Sequence, residues 1–199
     1  MSETGHVDLD CTVPIWDRFF LVHQLVVVGT VESDGSPDFA PKHMAGPIAW
    51  DNLFGFACAP HHATYRNLVR TEAFTVSYPR PDQIVLVSMA AAPREADDSK
   101  PALAVLPSIP AKLVEGPLLA DATLHLECRL ERVVDDLAAN SLVIGRVVAA
   151  HVAPAALRQL DREDEAVLAE APLLAYLQPT RYAAIAAGAS FPFHDGWSR

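Results

Sequence analysis

The chain has 199 residues, 51% of them hydrophobic, and a formal net charge of -10 from 25 acidic and 15 basic residues. That is enough apolar material for one buried core, and it excludes disorder as the main state. The acidic balance excludes a bulk electrostatic grip on nucleic acid, though not a local basic pocket for a small anion. No apolar run approaches the roughly 18 residues that a membrane span needs.

Residues 1–10 are acidic and polar and lack the basic start and apolar run of a secretory signal, so the cytoplasm is the expected location. Residues 20–30 (FLVHQLVVVGT) are β-branched and apolar and read as one buried strand. The SDGSP run at 33–37 is a turn. Residues 39–45 follow as a strand interrupted by Pro41, which cannot donate to a ladder. Residues 53–59 (LFGFACA) are another strand, stopped by Pro60. The period then changes: Tyr65, Leu68 and Val69 give residues 64–70 one apolar helical face, with Thr64 placed to cap it. Residues 73–78 (AFTVSY) return to strand. Residues 82–92 are divided, IVLV favouring strand and MAAA favouring helix. Residues 93–110 are charged and proline-studded, a loop with one helical turn at most.

Residues 123–131 carry the clearest strand pattern. Leu124, Leu126, Cys128 and Leu130 alternate with Thr123, His125, Glu127, Arg129 and Glu131, a half-buried antiparallel strand with one wet face. Residues 141–152 read as its partner, joined through a longer loop holding Asp135, Asp136 and Asn140. Residues 155–168 read as helix after Pro154, and Pro172 ends it. Residues 173–199 form a tail whose Tyr176, Tyr182, Phe191, Phe193 and Trp197 imply docking, on the barrel or on a partner subunit. Six or seven short strands with few helices favour a small closed or partly closed barrel. The expected organisation is one domain over 1–199, a core of about 15–153 and a helical, aromatic tail over 154–199. Cys11, Cys58 and Cys128 are odd in number and far apart, which reads as free thiols rather than a disulfide framework or zinc knuckle.

No nucleotide-loop, zincin or hydrolase motif is present. Two segments concentrate polar groups, DFAPKHMA at 38–45 and PHHATYRN at 60–67. In a small barrel they would gather Lys42, His43, His61, His62, Thr64, Arg66 and Asn67 around the start of a short helix. A helix N-terminus among donors suits a phosphate. Spacing alone leaves open the plainer reading of a solvated connection with a Thr cap. His61 and His62 lack third and fourth ligands at sensible spacing, so no metal is expected.

Residues 26–78 resemble the flavin reductase-like family, whose fold is the FMN-binding split β-barrel. The resemblance rests on a strand ending in Gly29-Thr30, the SDG turn, Asp38-Phe39-Ala40-Pro41, the LFGF strand, and His62-x-Thr64-x-x-Asn67 ahead of EAFTV. The family usually carries Arg or His, then Thr, then Asn at that cluster. Later pieces also fit: Ala92-Pro93-Arg94, Glu115-Gly116-Pro117, Leu126-Glu127-Cys128, Ile144-Gly145-Arg146-Val147 leading to His151, Leu174-Ala175-Tyr176-Leu177, and Phe191-Pro192-Phe193. The order of these pieces carries the likeness over most of the chain.

The resemblance implies a mainly β fold with short helices, an antiparallel Greek-key split barrel, and a helix over 82–92. It implies a homodimer that binds FMN near the subunit interface and reduces flavin with NADH or NADPH. The physiological acceptor would be oxygen, free flavin or a partner monooxygenase. Carried over by position, Thr64 and Asn67 face the phosphate or ribityl chain, His62 stands in the usual Arg place, and Ala59 and Arg94 join the cofactor set. Ala40, Pro41, Lys42, His43, Met44 and Ala45 run beside the isoalloxazine. Asp38 departs from the Asn of many relatives, which puts its direct contact with flavin in doubt. Lys42 departs too, and a cation there would stabilise the charge of reduced flavin. No side chain need act as acid or base; Lys42 and His151 are the candidates for support. Each has a plainer reading, Lys42 as a surface lysine and His43 and His151 as structural histidines. Two alternatives stay open, a flavin-binding or electron-transfer module without turnover and a pyridoxamine-phosphate-oxidase-like flavoenzyme.

Overall fold

Leu25 divides the first apolar run in two. In the computed structural model, which describes residues 5–194 and 196, β1 spans Leu21–Gln24 and β2 spans Val26–Val31. There follow β3 (Pro37–Lys42), β4 (Ala45–Ala49), β5 (Leu53–Cys58), α1 (Ala63–Thr71), β6 (Ala73–Tyr78) and α2 (Ile84–Ala90). The second half holds β7 (Ser108–Pro110), β8 (Pro117–Leu119), β9 (Leu124–Leu137), β10 (Asn140–Val152), α3 (Asp164–Glu170), β11 (Leu173–Gln178) and β12 (Arg181–Ile185).

Seven strands form one curled antiparallel sheet in the order β3-β2-β6-β9-β10-β5-β4. The non-sequential neighbours β2–β6, β6–β9 and β10–β5 make it a partly closed barrel rather than a meander. The expected mainly β split barrel is thus present. Pro41 sits on the edge strand β3, opposite Val27, the place where a missing N–H costs least.

Every residue of β2 is buried. Val26 and Val28 enter a cluster with Phe54, Phe56, Leu68, Phe74, Val76, Cys128 and Val143 inside the barrel. Val27 enters a second cluster with Leu25, Phe39, Val87, Ala90, Leu119 and Leu174 on the opposite face. Residues 20–30 look like one strand because apolar residues are needed on both faces of β2. In fact β1 belongs to a separate three-stranded sheet, ordered β1-β11-β12.

Several expectations change. Residues 82–92 resolve as helix over Ile84–Ala90, as the family resemblance implied. The β9–β10 hairpin is longer and its turn tighter than expected. Asp135 and Asp136 lie in β9, Asn140 starts β10, and only residues 138 and 139 connect them, Ala138 with φ 55°. His125 and Glu127 are buried, not wet, because the 107–119 segment covers their face of β9. The helix expected over 155–168 is confined to a 3-10 turn at Pro154–Ala156 and α3, which begins at Asp164. The tail is no mere appendage: Leu173–Gln178 and Arg181–Ile185 are strands, and β11 pairs with β1. Trp197 lies outside the described residues. Cys58 and Cys128 are buried thiols and Cys11 is an exposed one. Among the described residues, no helix is long and apolar enough to cross a membrane.

Strand β8 crosses β2 at Gly29. A Cβ there would run into the Pro117 carbonyl oxygen and Thr75 Oγ1. Backbone on one side leaves no room to repack, so Gly29→Ala should destabilise the protein by about 1–3 kcal/mol or more. Urea unfolding checks this as a lowered midpoint; an unchanged midpoint would mean that the crossing is not tight.

Candidate functional site

Strand β5 ends at Cys58, Pro60 breaks it, and His62 in extended conformation (φ -73°, ψ 144°) opens α1. This differs from the expected Thr64 cap. His62 holds the capping position without a side-chain bond to the helix, and no acidic residue stands in the first turn. The helix therefore presents uncapped N–H groups, and none of its own first-turn side chains offsets its positive dipole end. Thr64 lies inside the first turn, 2% exposed, and its hydroxyl donates to Asp38 Oδ2 at 3.3 Å.

Before this helix end lies a cavity of about 420 Å³. Strand β3 contributes Asp38, Ala40, Pro41 and Lys42; the turn into α1 contributes His61, His62, Ala63, Thr64 and Arg66. The end of α2 and the loop after it contribute Ala90, Ala91, Ala92, Arg94, Asp98 and Lys100. Six basic side chains face two carboxylates there, in a chain whose net charge is -10.

Both carboxylates are engaged. Asp38 is 2% exposed and receives Arg94 Nη2 at 2.8 Å on Oδ1, with the Thr30 and Thr64 hydroxyls at 3.3 Å on Oδ2. Arg94 also bonds Glu32. Asp98 takes Arg66 Nη2 at 3.1 Å. Lys100 Nζ donates to the carbonyls of Phe39 at 2.9 Å and Ala90 at 2.6 Å, tying β3 to the end of α2. Burial first, then the charges of Arg94 and Lys42, hold the Lys100 ammonium below the usual lysine range, against the pull of Asp38. Lys42 Nζ lies 3.5 Å from Cys58 Sγ and has no carboxylate partner among the described residues. Burial raises the Cys58 thiol despite that neighbour, so it stays protonated. His62 lies below the ordinary histidine value through burial and the surrounding Lys42, His61, Arg66 and Lys100.

Of the residues singled out from sequence, the cavity gathers Ala40, Pro41, Lys42, His61, His62, Thr64, Arg66 and Arg94. His43 turns instead toward a second cavity. Met44, Ala45 and Ala59 do not line the first cavity, and Asn67 is buried, donating to Thr30 Oγ1 at 3.2 Å. His151 lies apart, Nε2 2.9 Å from the buried Glu127. Sequence reasoning missed Ala63, Asp98 and the Ala90–Ala92 helix end. The signal was the small-residue run after Met89, which lets the end of α2 approach the cleft closely.

An antiparallel split barrel with a basic cleft at a helix N-terminus has donors and charge suited to an anion. The family model for the flavin reductase like domain matches residues 19–184, and the chain belongs to that family. It is an oxidoreductase of the flavin reductase type. Solved structures share the fold at low identity. The 2-nitrobenzoate 2-nitroreductase of Pseudomonas fluorescens superposes with a TM-score of 0.79 at 17% identity, over 100% of this chain and 98% of that one. The flavoredoxin of Desulfovibrio vulgaris (Miyazaki F) gives 0.77 at 18%, over 96% and 100%. Nitrilotriacetate monooxygenase component B from Bacillus cereus gives 0.73 at 23%, over 87% and 88%.

The depressed His62 makes a testable prediction. Burial first, and then the neighbouring cations, hold His62 below its usual value; an anion entering the cleft offsets the second of these, so binding draws a proton onto it. Binding of sulfate, which carries no titrating proton of its own in this range, should therefore take up protons at about pH 6.5, and sulfate affinity should fall as pH rises toward about 8. Calorimetry in buffers of different ionisation enthalpy reads the uptake; a buffer-independent heat would remove His62 from the anion site.

Proposed function

We propose that the protein binds FMN in the basic cleft and reduces it with NADH or NADPH. The observation that carries this reading is the cluster of cations at an uncapped helix N-terminus inside an acidic protein of this family. The donor set fits the group. The N–H groups at the start of α1 and His62 are suited to a phosphate, while Ala40, Pro41 and the Ala90–Ala92 run offer small or flat walls to a planar ring, with Lys42 beside them. Bound flavin supplies the redox chemistry, taking a hydride from the nicotinamide.

The chain's own residues position and polarise. Lys42 puts a positive charge in the wall, where negative charge develops on reduction. Arg94 and Asp38 neutralise each other and hold the lip of the cleft in place rather than reading the ligand. Thr64 and Asn67 act from behind, through Asp38 and Thr30, and keep α1 seated on β2 and β3. The exposed Trp16, Phe20 and Ile48 fit a second copy of the chain as partner. The solved relative that is a monooxygenase component supports a partner monooxygenase as the acceptor. The three free thiols fit the cytoplasm.

The deciding experiment is the visible spectrum of the protein with FMN, followed anaerobically with NADH and then NADPH. Flavin bands should bleach with at least one nicotinamide. Bands that persist would leave a flavin-binding module without turnover, and failure to bind supplied flavin would overturn the cofactor. Lys42→Gln and His62→Gln should each weaken FMN binding by about tenfold, the low end for a charge-assisted hydrogen bond at a partly open site. Fluorescence titration of FMN measures both.

A further inference from the structure

A second cavity, of about 360 Å³, shares Pro41 and Ala91 with the basic cleft. Its character is different. Leu25, Ile84 and Val87 make an apolar floor, and the rings of His43, Tyr176 and Tyr182 line it. No carboxylate lines it, and Arg181 from the start of β12 is its one formal charge.

The rings form a built wall. His43 packs on Tyr176 with ring centres 4.7 Å apart at 42°, and His23 packs edge-on behind His43 at 5.4 Å and 70°. The Tyr176 hydroxyl is committed to the Pro179 carbonyl, so that side chain offers the cavity its ring. Burial first, then His23 and Lys42, hold His43 below the ordinary histidine value; at neutral pH it is an uncharged aromatic surface. Tyr182 is 54% exposed and has no ring partner among the described residues.

The Arg181 side chain is unengaged too. Arg66, Arg80, Arg94, Arg146, Arg158 and Arg162 each pair with a carboxylate. Among the described residues the side chains of Arg18, Arg129, Arg132 and Arg181 make no hydrogen bond or ion pair, and of these Arg181 is the one that lines a cavity of this kind. Beside it the hydroxyls of Ser88 and Thr180 line the same cavity. A guanidinium fork recognises a planar carboxylate with two parallel bonds, and aromatic walls favour a flat ring over a puckered one.

We propose that this second cavity is a subsite for an aromatic monocarboxylate, with its ring against His43, Tyr176 and Tyr182 and its carboxylate on Arg181. Pro41 and Ala91 then form the partition between this ring and the occupant of the basic cleft. The significance of that adjacency, an aromatic acid held beside the flavin, rests on the function proposed above; the binding itself does not.

Calorimetric titration of the full chain with benzoate tests the proposal, with FMN and without it. Benzoate should bind in both forms. Cyclohexanecarboxylate, which keeps the charge and loses the flat ring, should bind several-fold more weakly. Benzyl alcohol, which keeps the ring and loses the charge, should bind about tenfold more weakly. Arg181→Gln and Tyr182→Ala change exposed side chains and leave both cores intact. The first should weaken benzoate about tenfold and the second several-fold, with FMN affinity unchanged. Equal benzoate affinity in Arg181→Gln, or cyclohexanecarboxylate binding as well as benzoate, would overturn the site. So would NADH displacing benzoate from the FMN-free protein with the same dependence on Arg181, since the cavity would then belong to the nicotinamide. Benzoate bound through Arg181 by a protein that takes no FMN would uphold the subsite while refuting the flavin reading.

Discussion

Four segments of the chain meet on the carboxylate of Asp38. It projects from β3, receives the hydroxyl of Thr30 from β2 and of Thr64 from α1, and is closed over by Arg94 from the loop after α2. Asn67 extends the set through Thr30. A carboxylate at 2% exposure is costly to bury alone, and stripping such a group of its partner typically costs about 3–5 kcal/mol. The network therefore acts as a lock: α1 cannot slide on the barrel, nor the 93–98 segment lift away, without stranding a charge. The walls of the cleft are those same segments, so its shape follows from one satisfied polar centre behind it.

Glu127 plays the corresponding part on another face. It is wholly buried in β9 and accepts the backbone N–H groups of Lys112, Leu113 and Val114 together with His151 Nε2. Burial alone would raise its pKa, but these donors more than reverse the effect and leave it below the usual carboxylate value. A segment that belongs to no strand of the large sheet is thereby fastened across it, and β8 is carried over Gly29. His151 is explained by this duty: its ring nitrogen completes a carboxylate's hydrogen bonds, which matches the plainer of its two sequence readings.

The same two carboxylates show what the sequence discloses and what it hides. Strands β5, β6 and β10 were legible because their apolar residues repeat at strand spacing and Pro60 or a charged turn ends them. Glu127 and His125 were misjudged because alternation says which residues share a face, not whether something covers that face. Only the distant 107–119 segment makes it dry. The division of residues 20–30 was hidden for a related reason, since an apolar run buried on both sides carries no period to mark where one sheet ends and another begins. In the cleft, Lys42, His62 and Thr64 were readable from local crowding and family likeness. Asp38 and Arg94 were not readable as a pair, because 56 positions separate them and no local rule joins them.

Charge settles how the two cavities divide their work. Around the first, six basic groups gather, and burial together with their mutual repulsion holds His62 and Lys100 below their ordinary values. Such a cluster makes physical sense when an anion shares the site, because a phosphate relieves every one of those repulsions at once. The second cavity has a single cation and aromatic walls, which suit a weakly charged, flat guest. Between them stand Pro41 and Ala91, an edge-strand pyrrolidine ring and a helix-end methyl, neither with a polar side chain to solvate. A thin apolar partition between an anion-binding cleft and an aromatic one is suited to bringing two planar molecules close while keeping water out from between them.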